Sequence, residues 1–341
     1  MASRTASSNL RICAAVAAVL AAVLIPADPA SSVPSITPFR ACLVTGVGGL
    51  EGPAFNRLAV AGLRAAERAG VVGHTAHAGS QAEIVNDLRS CARDRAGITI
   101  GVGYGMAAAL DQVATEFPHA AFAIVGVDMK TLPHRPANVE GLLFREEQAG
   151  YLVGYAAGLW AKRQGKRAVG SVGGLDIPPV EQAVAGFQFG AKVAYPAVDT
   201  LNAYAGGFTV AASCEKLALG QIEQGSAVEF EVAGPCGLGV LAAAHAKGIL
   251  GIGSGADQAS LGSFVMTTAL ERADVAVEAA VGAARTGHLA GGTNVSFGAR
   301  NGGIGYGRWS PIVPAAIRRA VAAQYAFLQA GRIEGIPTTI P

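Results

Sequence analysis

From residue 40 onward the chain alternates short apolar runs with amphipathic helical segments, and it does so twice. ACLVTGV reads as a buried strand, and AFNRLAVAGLRAAERAG follows with apolar residues at helical spacing and Gly70 as its stop. GHTAHAG, AGITIGVG and AAFAIVGV read as further strands, separated by the helical patterns QAEIVNDLRSCAR and MAAALDQVATEF. This rhythm predicts parallel strands joined by crossover helices, in a half that ends near Phe144. After the long helix REEQAGYLVGYAAGLWAKR it restarts at RAVGSVGG, runs through SFVMTTAL, and closes with the helices ERADVAVEAAVGAARTG and IVPAAIRRAVAAQYAFLQAGR. No low-complexity linker parts the halves, so the connections are short. The expected fold class is α/β: two doubly wound, Rossmann-like lobes with a hinge and an interlobe cleft. A length of 341 residues is too long for one ordinary core and suits two domains of roughly 150 residues each.

The N-terminus reads as an export signal over residues 1–32. Arg4 and Arg11 precede the apolar stretch ICAAVAAVLAAVLI, and PADPASS follows with Pro and small residues. The stretch is shorter than the roughly 18–20 apolar residues of a membrane span; an uncleaved anchor is the alternative. Cys13 and Cys42 both lie in poor contexts for lipidation, the first in front of the apolar stretch and the second well past it. Export places Cys42, Cys91, Cys214 and Cys236 in an oxidising compartment. Cys42 falls in the first strand and Cys91 at the end of the second helix, whereas Cys214 and Cys236 flank a strand of the second half. Pairing 42–91 with 214–236 is therefore the sensible connectivity, with four small buried thiols as the other reading. A net charge of +2 provides no broad basic face, so nucleic acid is a poor partner.

VTGVGGLEGPAFNR, residues 44–57, concentrates glycines between an apolar run and a helix start. A dinucleotide fingerprint would need a third glycine where Glu51 stands, and GVGYGM at 101–106 fails on spacing. The chain holds no phosphate-loop Gly-Lys-Ser/Thr. Around Ser254 a nucleophile elbow would need glycine at positions held by Ile252 and Ala256. The histidines are scattered, and His74 and His77 lack a partner acid at metal-binding spacing. We expect no enzyme, no cofactor and no metal; the glycines instead bring backbone close to a ligand ahead of a helix N-terminus.

Several segments together resemble the basic membrane protein family of purine-nucleoside-binding-type receptors of ABC importers. They are VTGVGGLEGPAFNRLAVAGLRAA (44–66), FREEQAGYLVGYAAGLWAK (144–162), VGSVGGLDIPPVEQAVAGFQFGAK (169–192), VEFEVAGPCGLGV (228–240) and ARNGGIGYG (299–307). The resemblance runs from about residue 40 to the C-terminus and implies a type I periplasmic-binding-protein fold with three hinge crossings. Its lobes would comprise 39–145 plus about 270–297, and 146–269 plus about 298–341. The implied ligand is a nucleoside or related small molecule, with an ABC permease as membrane partner. The implied location is the cell envelope, at the outer face of the plasma membrane or in a periplasm-like space, or outside the cell. Carried over by motif, Phe55 and Asn56 would stack on and hydrogen-bond a base, Phe208 would close the sandwich, and Gly234 would contact a sugar.

Other positions depart from the family pattern. Thr45-Gly46 stands where Thr-Asp is usual, and Gly126 where an Asp is common, with Asp128 nearby. Asp257 is the one acid near the family's sugar-binding Asp, and Glu271 takes the place of a Lys beside the retained Arg272. These changes imply a ligand less hydroxylated, or more cationic, than the family's. A ligand sensor built on the same clamp is the alternative reading. An exported nucleoside hydrolase is a further one, resting on the dispersed acids Asp176, Asp257 and Glu271.

Overall fold

The computed structural model describes residues 38–46 and 54–340. The export segment and residues 47–53 of the glycine-rich stretch lie outside the described residues. The first lobe contains β1 (Arg40–Thr45), α1 (Ala54–Arg68), β2 (Val72–His77), α2 (Gln81–Arg93), β3 (Ile98–Val102), α3 (Ala107–Glu116), β4 (Phe122–Val125) and β5 (Val139–Phe144). The chain then crosses into α4 (Glu146–Arg163), β6 (Ala168–Gly173), α5 (Pro178–Ala194), β7 (Asp199–Tyr204), α6 (Ala211–Glu223), β8 (Ser226–Val232), α7 (Gly237–Ala246), β9 (Leu250–Gly255) and β10 (Val265–Glu271). It returns for α8 (Ala273–Arg285) and β11 (Asn294–Phe297), and crosses a third time to β12 (Ile304–Tyr306) and α9 (Ala315–Gln329). Among the described residues no helix is long and apolar enough to cross a membrane.

The two sheets have matching topology. Strand order in the first is β2-β1-β3-β4-β5-β11, and in the second β7-β6-β8-β9-β10-β12. All neighbours run parallel except the antiparallel pair β10–β12. Strand order reverses between β1 and β3 and between β6 and β8, and open parallel sheets bind ligands beyond the carboxyl ends of strands at such a reversal. Central strands such as β3 (ITIGV) are buried throughout because helices cover both faces.

The three crossings are tied to one another. Arg145 N–H donates to the Phe297 carbonyl at 2.9 Å, Ala299 N–H to Gln148 Oε1 at 2.9 Å, and Arg272 N–H to the Gly303 carbonyl at 2.8 Å. From the first crossing springs α4, which is buried almost all round. Its glycines 150, 154 and 158 each face backbone of α5, at Ala183, Phe187 and Ala191. Gly186 and Gly190 of α5 reciprocate against Glu147 and Tyr151. A Cβ at any of the five would collide with main chain, so the two helix backbones touch directly. The first lobe uses the same device once, where Gly62 of α1 meets the Asp274 backbone of α8.

Two disulfides are present in the expected pairing. Cys42–Cys91 has a Cα separation of 5.9 Å and joins β1 to α2; Cys214–Cys236, at 5.7 Å, joins α6 to the turn before α7. Strand β8 carries acids into the core. Glu229 in β8 is fully buried, and neither of its carboxyl oxygens has a partner among the described residues; Gln221 Oε1 likewise has none. Gln221 Nε2 donates to the Ser171 carbonyl at 3.0 Å, and the Glu229 and Gln221 side chains both press against Gly170. Burial pushes the Glu229 carboxyl up to about 8. A neutral carboxyl costs far less to bury here than a carboxylate.

Two outcomes follow from these contacts. In urea unfolding, Gly154→Ala should lose about 1–3 kcal/mol, because the added methyl forces α4 off α5. By contrast Gly282→Ala, in an exposed part of α8 with nothing within 4 Å, should gain about 0.5–1 kcal/mol. A change of the same sign in both variants would contradict the close approach. The second outcome concerns pH. Unfolded glutamate releases its proton near 4.5, whereas folded Glu229 keeps it to about 8. The folded state therefore holds the extra proton across that window, and stability falls as pH rises through it, by up to about 1.4 kcal/mol per unit for one group. Urea midpoints at pH 5, 6, 7 and 8 should decline, and Glu229→Gln should shrink the slope by one proton's worth while leaving pH 5 stability nearly unchanged.

Candidate functional site

At the carboxyl edge of the first sheet, α1 opens with Phe55, which is partly buried and meets Phe144 edge-to-face at 5.9 Å between ring centroids. Its ring tip also lies over Gly126, where an added Cβ would come within 3.8 Å. Gly126 has φ +76°, a backbone conformation that glycine adopts without strain, and its N–H donates to the Leu142 carbonyl at 2.8 Å. The acid common at this position in the resembled family is thus replaced by a bare backbone floor beneath an aromatic ring. Asn56, next in the helix, is 5% exposed. Thr45, closing β1, is fully buried and hydrogen-bonds His77 Nδ1 through its hydroxyl at 2.7 Å. Asp128 is occupied within the lobe: its Oδ1 accepts from Lys130 N–H at 2.8 Å and from Asn294 Nδ2 at 2.6 Å.

The second lobe has a counterpart. Phe208 stands in the connection between β7 and α6, and its ring covers Gly174 at the end of β6. Gly207 N–H donates to the Gly174 carbonyl at 2.9 Å, and Cys236 N–H to the Phe208 carbonyl at 2.8 Å. Gly234 opens the turn after β8 with φ +54°, and a Cβ there would sit 3.9 Å from Phe208. The structure therefore brings Phe208 and Gly234 together in the second lobe, while Phe55 and Asn56 stand at the equivalent edge of the first.

Below Gly234 lies a group that the sequence reading did not single out. Glu231 of β8 is fully buried and accepts from Ala233 N–H at 3.1 Å, Ser254 N–H at 2.9 Å and Gln258 Nε2 at 2.8 Å. It thereby ties the ends of β8 and β9 to the following loop. Burial pushes its carboxyl up to about 7, and the three donors hold the rise in check. The signal in the sequence was VEFEVAG, where two acids interrupt a strand flanked by apolar residues.

Asp257 and Glu271 have protein partners. Asp257 accepts from Arg308 Nε at 2.6 Å and from Ala259 N–H at 3.0 Å. Glu271 ends β10 at the second crossing and shares a hydrogen bond with Glu146, the first residue of α4 at the first crossing. Burial, then the Glu271 charge, pushes Glu146 well above the usual carboxylate range; burial raises Glu271 as well. Nearby cations are engaged by other acids: Arg145 Nε with Glu147 at 2.7 Å, and Arg272 with both oxygens of Asp274 at 2.8 and 2.7 Å. Two hydrogen-bonded carboxyls thus bridge two crossings where the resembled family places a lysine.

Comparison with known proteins agrees with this architecture. The Bmp family model, described as ABC transporter substrate-binding protein PnrA-like, matches residues 40–322. A CD4+ T-cell-stimulating antigen of Listeria monocytogenes is 29% identical over 290 residues, covering 78% of this chain and 79% of that protein. The ABC transporter nucleoside-binding protein BmpA of Lactococcus lactis is 25% identical over 294 residues, covering 80% and 82% respectively. A solute-binding protein of an ABC transporter system from Aeropyrum pernix superposes with a TM-score of 0.72 at 26% identity, over 88% of this chain and 94% of that one. The two-lobed fold, the paired carboxyl-edge sites and this match over most of the chain agree: the protein belongs to the Bmp family of PnrA-like ABC transporter substrate-binding proteins, and is a binding protein rather than an enzyme.

Proposed function

We propose that the chain captures a nucleoside-like small molecule between its lobes at the cell envelope and delivers it to an ABC permease. The observation that carries this reading is the pair of aromatic rings, Phe55 and Phe208, each laid on a glycine backbone at the carboxyl edge of its own sheet. Rings in those places suit a flat heteroaromatic base, and closure of the lobes would stack it from both sides. Asn56 supplies a hydrogen-bonding group for the base edge, and the Gly234 turn a backbone contact for the sugar. The name of the lactococcal relative supports the ligand class. An envelope location is supported by the expected export segment and by a relative from Pyrococcus furiosus described as a lipoprotein.

The same geometry narrows the ligand. With Gly126 as a floor, Asp128 tied to Asn294 and Asp257 tied to Arg308, these three positions offer no free carboxylate to grip sugar hydroxyls. Recognition then rests on the base more than on the sugar.

Titration calorimetry of the mature protein against guanosine, inosine, adenosine, cytidine and free ribose tests this reading. Purine nucleosides should bind at one site, with ribose silent and the 2′-deoxynucleosides close in affinity to their ribose forms. Phe55→Ala and Phe208→Ala should each weaken binding about 5- to 150-fold, the range expected for losing about 1–3 kcal/mol of base–aromatic stacking. Absence of heat with every nucleoside, or affinity indifferent to both substitutions, would overturn the assignment.

A further inference from the structure

The disulfide Cys214–Cys236 occupies a place that its role as a staple does not explain. Cys236 ends the turn Gly234–Cys236, and its N–H donates to the Phe208 carbonyl at 2.8 Å. Its sulfur lies 3.0 Å from the Val210 carbonyl, two residues further along the same connection. Cys214 sits in the first turns of α6, the helix into which that connection runs. Chain from Phe208 to Cys214, the disulfide, and the Cys236–Phe208 hydrogen bond therefore form one closed ring. Phe208 is a member of this ring, and Gly234 lies two residues outside it.

The layer around the ring combines small fully buried side chains with larger half-buried ones, Leu217, Leu219 and Ile222. Its fully buried members are Val172, Cys214, Ala218, Ala233, Cys236, Val240 and Ala243, none with an apolar side chain larger than valine. Helices α6 and α7 pack closely, with Gly239 of α7 directly on the Ala211 and Glu215 backbone of α6, but that contact lies C-terminal to the connection that carries Phe208.

From this ring we infer that Cys214 and Cys236 are positioning residues for ligand capture: their bond fixes the Phe208 ring and the Gly234 turn in one rigid frame. Both sulfurs are buried, at 0 and 1% exposure, so the bond is a constitutive clamp rather than a redox switch. Cys42–Cys91, also buried, lies in the other lobe between β1 and α2 and touches neither Phe208 nor the Gly234 turn. The inference rests on the reading of Phe208 and Gly234 as ligand contacts, and the experiment separates the two.

Hydrogen exchange of residues 205–213 and 234–238, with guanosine titration alongside, would be compared in wild type, Cys214→Ala/Cys236→Ala and Cys42→Ala/Cys91→Ala. Opening the lobe-2 bond should raise exchange in both segments at least about tenfold, because the amides lose a local constraint, and weaken guanosine binding by about tenfold or more. In a Phe208→Ala background it should cost no further affinity, since the ring it positions is gone. The lobe-1 variant should change neither readout, even where it lowers the melting temperature. Unchanged exchange in the lobe-2 variant, or equal affinity loss in both variants, would overturn the proposal. Should wild type bind no guanosine, the ligand reading fails and loop exchange alone decides the positioning role. If the lobe-2 variant does not fold, reduction of the bond remaining in Cys42→Ala/Cys91→Ala provides the same comparison.

Discussion

Direct backbone contact between α4 and α5 is the constraint on which the rest of the molecule depends. Five glycines remove the side chains that would hold the helices apart, leaving the Glu147, Tyr151, Ala183, Phe187 and Ala191 main chain as the opposing surface. Contact at this range gains dispersion along the whole length of both helices and tolerates no added methyl. Because α4 emerges directly from the first crossing, fixing it on α5 also fixes where the second lobe begins. Tyr151 on the same helix donates to Gln324 Oε1 of α9 at 2.7 Å, so the C-terminal helix is held to that axis as well. Phe208 and Gly234 belong to this same lobe.

At the crossings the chain exchanges apolar packing for hydrogen bonds and charge. The three segments are joined by Arg145 to Phe297, Gln148 to Ala299 and Arg272 to Gly303, all contacts that survive small changes of angle. Glu146 and Glu271 meet in their midst, and burial raises both carboxyls. A lysine at position 271 would make an ion pair with Glu146; the carboxyl found there makes a carboxyl–carboxyl hydrogen bond instead. That contact ties the start of α4 to the end of β10.

The fold was legible because its strands are buried on both faces and its helices are long, so apolar runs and helical spacing rarely conflict. Strand β5 (VEGLLF), which the sequence reading did not single out, and the short edge strands β11 and β12 were not. NVSF and IGY are too brief to establish a period and take their strand character from β5 and β10 beside them. At the candidate site, Phe55, Asn56, Phe208 and Gly234 were found through family motifs, since nothing in their spacing separates a ligand-facing ring from a core ring. What no local pattern contained was the company each acid keeps. Arg308 reaches Asp257, Asn294 reaches Asp128 and Glu146 reaches Glu271, each across long stretches of chain. The acids of VEFEVAG were visible as an interrupted apolar run, but their burial under α6 and α7 appears only once those helices are in place.

These engaged acids bear on selectivity. A carboxylate that must release an arginine or an asparagine before it can accept a sugar hydroxyl contributes only the difference between two hydrogen bonds, far less than a free one. Asp257 with Arg308 and Asp128 with Asn294 are both in that position, and Gly126 offers no side chain at all. Aromatic faces need no such exchange, and Phe55 and Phe208 each sit on a glycine backbone. Under the proposed reading, differential affinity would therefore reside in the ring system of the ligand and in how rigidly Phe208 is held, so that such a receptor would discriminate weakly among sugars and strongly among bases.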